Sequence, residues 1–213
     1  MRPVFERYKI HWTDRAYIRS VFFGLGLFGL SLILNAYAIS YATERASNPV
    51  TDLVLSNVPI FDVDALFVYG TMIVAMITIF VCLLQPKRIP FVLYGVALFF
   101  FIRSIFVSLT HIAPFMPYQS AEFGPTINRL FFGGDRFFSG HTGLPFFGAI
   151  AFWKEPFLRY FYLAASVFFA IIVLLGHLHY SIDVLSAFFI TYTIYHMLVW
   201  LFPEEHQLFM SEK

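Results

Sequence analysis

Ala65-Leu66-Phe67-Val68-Tyr69-Gly70-Thr71-Met72-Ile73-Val74-Ala75-Met76-Ile77-Thr78-Ile79-Phe80-Val81-Cys82-Leu83-Leu84 runs for twenty residues without a charge. As a helix rising 1.5 Å per residue it matches a bilayer hydrocarbon core of about 30 Å. Working outward, similar apolar blocks occupy 21–41, 89–109, 140–153, 157–175 and 182–201, six in all. Hydrocarbon offers backbone amides no partner, so each block must bond within itself as a helix. The expected architecture is therefore all-α, an integral membrane bundle of six transmembrane helices. The 29 Phe and 12 Tyr spread along the chain fit lipid as solvent better than a water-facing domain.

The segment 1–20 mixes Arg2, Arg7, Lys9, Arg15 and Arg19 with Val4, Phe5, Tyr8, Ile10 and Trp12. That composition suits a short amphipathic interfacial helix at head-group level. Ala36-Tyr37-Ala38 looks like a signal-cleavage site. The basic region ahead is too long and the apolar stretch is a full span, so an uncleaved first helix is expected. The organisation read from the chain is an interfacial segment at 1–20, a six-span domain at 21–202 and a cytoplasmic tail at 203–213.

Lys and Arg set the orientation. With the N-terminus inside, the 1–20 cluster, Lys87-Arg88, Lys154, Arg159 and Lys213 are cytoplasmic, leaving Arg45, Arg129 and Arg136 outside. Segments 42–64, 110–139 and 177–181 then face the periplasm or lumen. The compact chain favours a bacterial inner membrane. A net charge of +1 offers nucleic acid no electrostatic footprint, and the single cysteine, Cys82, excludes an intrachain disulfide.

Two outer segments carry chemistry. Phe138-Ser139-Gly140-His141-Thr142 opens the 140–153 block, which at 14 residues is too short to cross the core. A helix start there lies below the outer head groups. Its free amides and dipole favour an anion, with His141 able to exchange a proton. In His177-Leu178-His179-Tyr180-Ser181-Ile182-Asp183, His179 and Asp183 stand four apart on the expected last helix. The carboxylate can hold one imidazole nitrogen protonated and leave the other to attack. A carboxylate at the mouth of an apolar helix is expensive, which makes Asp183 a functional candidate, the alternative being an ion-paired cap of the helix. Arg103, deep in 89–109, is the expected phosphate cation, the alternative being a salt bridge to Asp62, Asp64 or Asp135. No metal-ligand spacing appears, and neither metal nor cofactor is expected.

Gly134-Asp135-Arg136-Phe137-Phe138-Ser139-Gly140-His141-Thr142 and Gly176-His177-Leu178-His179-Tyr180-Ser181-Ile182-Asp183-Val184 closely resemble the two signature motifs of sphingomyelin synthases. That family lies within the type 2 phosphatidic acid phosphatase superfamily. Pro59-Ile60-Phe61-Asp62 resembles its proline and aspartate motif, and Arg103 with Thr110 and Pro114 resembles the motif closing its third span. The resemblance implies a ping-pong transfer of phosphocholine or phosphoethanolamine from a membrane phospholipid donor to a lipid alcohol acceptor such as ceramide or diacylglycerol. By that likeness His179, polarised by Asp183, attacks phosphorus, and His141 serves the departing and arriving oxygens. Asp62, Arg103, Asp135, Arg136, Ser139, Gly140, His177 and Tyr180 would line the substrate site. The superfamily's phosphatases carry an arginine six residues before the second histidine, where this chain has Val173, so the likeness is to the transferase branch. Leu178, where an acid is common, leaves the head group open, and the same site with water as acceptor would be a phospholipase C or a lipid phosphatase. A silent lipid transporter on the same scaffold is a further alternative.

Overall fold

The computed structural model of the protein describes residues 3–115 and 137–211. Among the described residues eight α-helices follow in order: α1 (Val4–His11), α2 (Arg15–Glu44), α3 (Asp64–Leu84), α4 (Ile89–Leu109), α5 (Gly140–Ala151), α6 (Pro156–Leu175), α7 (Ser181–Leu201) and α8 (Pro203–Met210). A 3-10 turn, Pro86–Arg88, leads into α4, and no strand occurs among the described residues.

Among the described residues five helices are long and apolar enough to cross a membrane: α2, α3, α4 with its leading turn, α6 and α7. The fourth apolar block forms α5, twelve residues that rise only about 18 Å. The first long helix extends beyond its apolar block at both ends, and Asp14 caps its earlier start by accepting the Ala16 N–H. The stretch after Leu201 holds a helix, α8, seated by Phe209, which is buried against Phe91 and Phe152.

Packing sorts the helices into α2 on α4, and α5 between α6 and α7. Most of the outward surface is Phe, Leu, Ile and Tyr, as lipid contact requires, while the core is a chain of aromatic clusters. Gly143 brings α5 against α7, since a Cβ there would lie 2.7 Å from Thr191 Oγ1 and 2.8 Å from the Phe99 ring.

The two ends of the bundle differ chemically. At one end Arg7 and Tyr8 of α1 donate to the Leu84 and Leu83 carbonyls, Tyr17 donates to Pro86, Lys87 donates to Ser211, and Arg88 pairs with Glu155 at 2.6 Å. At the other lie the 46–63 loop, the start of α5 and the turn between α6 and α7, with every histidine segment singled out above.

Candidate active site

The turn between α6 and α7 is built by backbone geometry. Gly176 caps α6 through Ile172, and His177 takes a positive φ of 52°, so the chain reverses and the Leu178 N–H donates to Val173. A non-glycine residue in that region carries strain of order 1–3 kcal/mol. His177 is held there by a 3.1 Å contact from Nε2 to the Val58 carbonyl. Helix α7 begins only at Ser181, so His179 is presented from the turn, not from a helical face as its four-residue spacing from Asp183 predicts. The pairing is still reached. His179 Nδ1 lies 3.6 Å from Asp183 Oδ2, both side chains being buried. That is longer than a hydrogen bond, within the looseness common before a substrate binds. The same Oδ2 accepts the Tyr180 N–H at 3.0 Å, capping α7.

His141 reaches this turn because α5 starts beside α7. The Ser139 N–H donates to the Asp183 carbonyl at 3.1 Å, and the Ser139 hydroxyl accepts the Thr142 N–H as N-cap. The His141 ring packs on Phe67 of α3 at 4.2 Å and near Phe169 of α6 at 6.2 Å. His179 and Arg103 both lie within electrostatic reach of it.

Arg103 is 2% exposed. Its Nε donates to the Phe138 carbonyl at 3.2 Å, and Nη1 donates to Asn35 Oδ1 at 3.1 Å. Gly140 lies against it, an added Cβ meeting Nε at 3.4 Å. Asp183 lies within Coulombic reach. Phe138, at φ 26°, is locked by the rings of Phe99 and Phe106, and this turns its carbonyl to the guanidinium.

The structure thus gathers Arg103, Ser139, Gly140, His141, His177, His179, Tyr180 and Asp183 around the adjoining ends of α5 and α7. Asp62 is not among them: it is exposed, and it accepts the Asp64 N–H at the start of α3. Asp135 and Arg136, also expected at the site, lie outside the described residues. Tyr180 turns its hydroxyl to the Ala113 carbonyl at 2.8 Å.

Two residues at this end escape sequence reasoning. Asn35, 9% exposed within α2, holds Arg103; a lone amide in an apolar block was its only signal. Asp52 ties the outer loop to α7, and nothing in its neighbours distinguishes it from a solvated loop acid. Burial pushes the Asp52 carboxyl up, but bonds from Leu55, Ser181 and Val54 outweigh it and hold the group below the usual carboxylate range.

Beside His141, α3 and α6 leave an apolar groove of about 370 Å³, lined among others by Ala65, Tyr69, Gly70, Ala165 and Phe169. These residues lie within about ten positions of the site end of each helix, and Phe169 borders both groove and His141.

Among the described residues no group of His, Cys, Asp and Glu could hold a metal ion. No curated protein and no solved structure matches the chain. Residues 133–201, which carry both histidine segments, match the family model described as PAP2 superfamily C-terminal, that of the type 2 phosphatidic acid phosphatases.

Proposed function

We propose that this protein is a membrane enzyme that transfers a phospho-head group, phosphocholine or phosphoethanolamine, from a glycerophospholipid to a lipid alcohol such as ceramide. The observation that carries the reading is the junction of α5 and α7, which gathers His141, the His179–Asp183 pair and Arg103. The family match supports lipid phosphatase or phosphotransferase chemistry.

With Nδ1 turned to Asp183, His179 has Nε2 for attack. A P–N bond forms and the P–O bond to diacylglycerol breaks as His141 gives that oxygen a proton. His141 then takes the proton of the acceptor hydroxyl. The hydroxyl oxygen attacks phosphorus, the P–N bond breaks, and His179 is regenerated. Arg103 neutralises the phosphoryl oxygens, acting where water is excluded and charge counts most.

We read α5 as a sixth span too short to reach the outer surface, and α1 as an interfacial helix. The basic end of the bundle is then cytoplasmic, with both termini, and the histidine end faces the periplasm or lumen of what we take to be a bacterial inner membrane.

Incubation of purified protein with head-group-labelled phosphatidylcholine or phosphatidylethanolamine and ceramide tests the reaction. The expected product is a labelled lipid, lost in His141→Ala and His179→Ala. A water-soluble labelled phosphate ester formed instead, ceramide unaltered, would make the protein a phospholipase C or lipid phosphatase on the same site. Lipid movement across vesicles that survives His179→Ala, with no chemistry, would make it a transporter.

A further inference from the structure

Asp52 lies in the outer loop between α2 and α3, 129 residues before its main partner, and is 8% exposed. Among the described residues its carboxylate accepts four hydrogen bonds. Oδ2 accepts the Ser181 N–H at 2.7 Å and the Ser181 hydroxyl at 2.8 Å. Oδ1 accepts the Val54 N–H at 2.8 Å and the Leu55 N–H at 3.0 Å. One carboxylate thus folds its own loop around itself and closes that loop on the first residue of α7.

Ser181 stands two residues after His179 and two before Asp183, so this contact fixes the segment joining the proposed nucleophile to its carboxylate partner. The loop touches that segment at two further places. Val50 donates its N–H to the Tyr180 hydroxyl at 3.3 Å, and the Val58 carbonyl meets His177 Nε2 at 3.1 Å. Three positions of this segment, His177, Tyr180 and Ser181, are therefore held from the 50–58 loop, and His179 lies between the first two. The Asp52 charge also faces the positive end of the α7 dipole, where a carboxylate is favoured.

We infer that Asp52 is a positioning residue, the clamp that holds the His179–Asp183 pair in register for attack on phosphorus. The inference rests on the proposed transfer reaction and adds to it a residue that touches no reacting atom. Asparagine keeps the shape of Asp52 but presents one acceptor oxygen and an NH2, so N–H donors on one side of the clamp lose their acceptor and face another donor. Glutamate keeps the acceptor and the charge on a longer arm.

The test measures kcat and KM for Asp52→Asn, Asp52→Glu and Ser181→Ala in detergent micelles of labelled donor and ceramide, with folded protein quantified by monodisperse elution. A misplacement of about 1 Å costs up to roughly 100-fold. Asp52→Asn is expected to lower kcat per folded molecule by roughly 10- to 100-fold with KM within about twofold. Asp52→Glu should recover much of the loss. Ser181→Ala, which keeps the N–H contact, should lose less than Asp52→Asn. A normal kcat in Asp52→Asn, a loss accounted for by unfolded protein, or an equal loss in Asp52→Glu would overturn the inference. His179→Ala separates the two ideas: if it is inactive while Asp52→Asn is normal, the clamp fails and the reaction stands, and if His179→Ala keeps full turnover, the reaction itself fails.

Discussion

A guanidinium buried among apolar helices is costly unless its donors are bonded, and Arg103 meets that demand through Asn35 and the Phe138 carbonyl. Its structural task, holding α2 and α4 to the start of α5, and its proposed one, meeting the phosphate, are separable. Asn35→Ala removes the acceptor for Nη1 and should lower thermal stability in detergent by about 1–3 kcal/mol while leaving some turnover. Arg103→Lys keeps a charge but loses the planar fork, and should cut turnover at least roughly 100-fold with smaller damage to folding. Thermal unfolding and product assays on the two variants separate the effects. Asp52 makes a second residue-scale prediction. Its folded-state acidity is raised, so its stabilising contribution is complete above the ordinary carboxylate range and fades as pH falls through the lower folded value. Unfolding temperatures followed downward from about pH 6 should fall below about pH 4 in the native protein, and less steeply in Asp52→Asn.

At the scale of helices, the close approach of α5 to α7 decides whether His141 reaches the turn that carries His179. Gly143→Val would drive side-chain atoms into Thr191 and Phe99 and should destabilise by about 1–3 kcal/mol, with activity lost first. Gly26, with nothing within 4 Å of an added Cβ, is the control: Gly26→Ala should be neutral or slightly stabilising. Thermal unfolding of the two variants gives the comparison. The sequence revealed the apolar blocks as helices because lipid leaves the backbone no other arrangement, and the brevity of 140–153 was legible from its length alone. It misjudged the approach to α7. The reversal at His177, which delays the helix to Ser181, depends on a carbonyl 119 residues away, and local spacing holds no trace of that. Asn35 and Asp52 were illegible for the same reason: their partners stand 68 and 129 residues off in sequence. Asp62 was the reverse case, a residue read from local pattern that stands exposed and accepts the Asp64 N–H beside the start of α3.

For the molecule as a whole, chemistry and anchoring separate to opposite ends. The Arg88–Glu155 pair, the Lys87–Ser211 bond and the α8 seat of Phe209 close one end, and the histidine turn, the 46–63 loop and the groove between α3 and α6 form the other. The proposed sidedness makes a direct prediction for a Cys82→Ala background. A membrane-impermeant thiol reagent should label Asn48→Cys in intact bacterial spheroplasts and Gln207→Cys only after lysis; the opposite pattern would invert the orientation. In the proposed reaction one phosphorus atom passes through His179, between His141 and Asp183, on its way from one lipid to another. The most direct measurement is rapid quenching of the enzyme with donor radiolabelled at the head-group phosphorus, followed by peptide mapping. The account predicts acid-labile, base-stable label on the peptide bearing His179, chased by ceramide and missing from His179→Ala. Turnover without any protein-bound label, or label that survives His179→Ala, would contradict it.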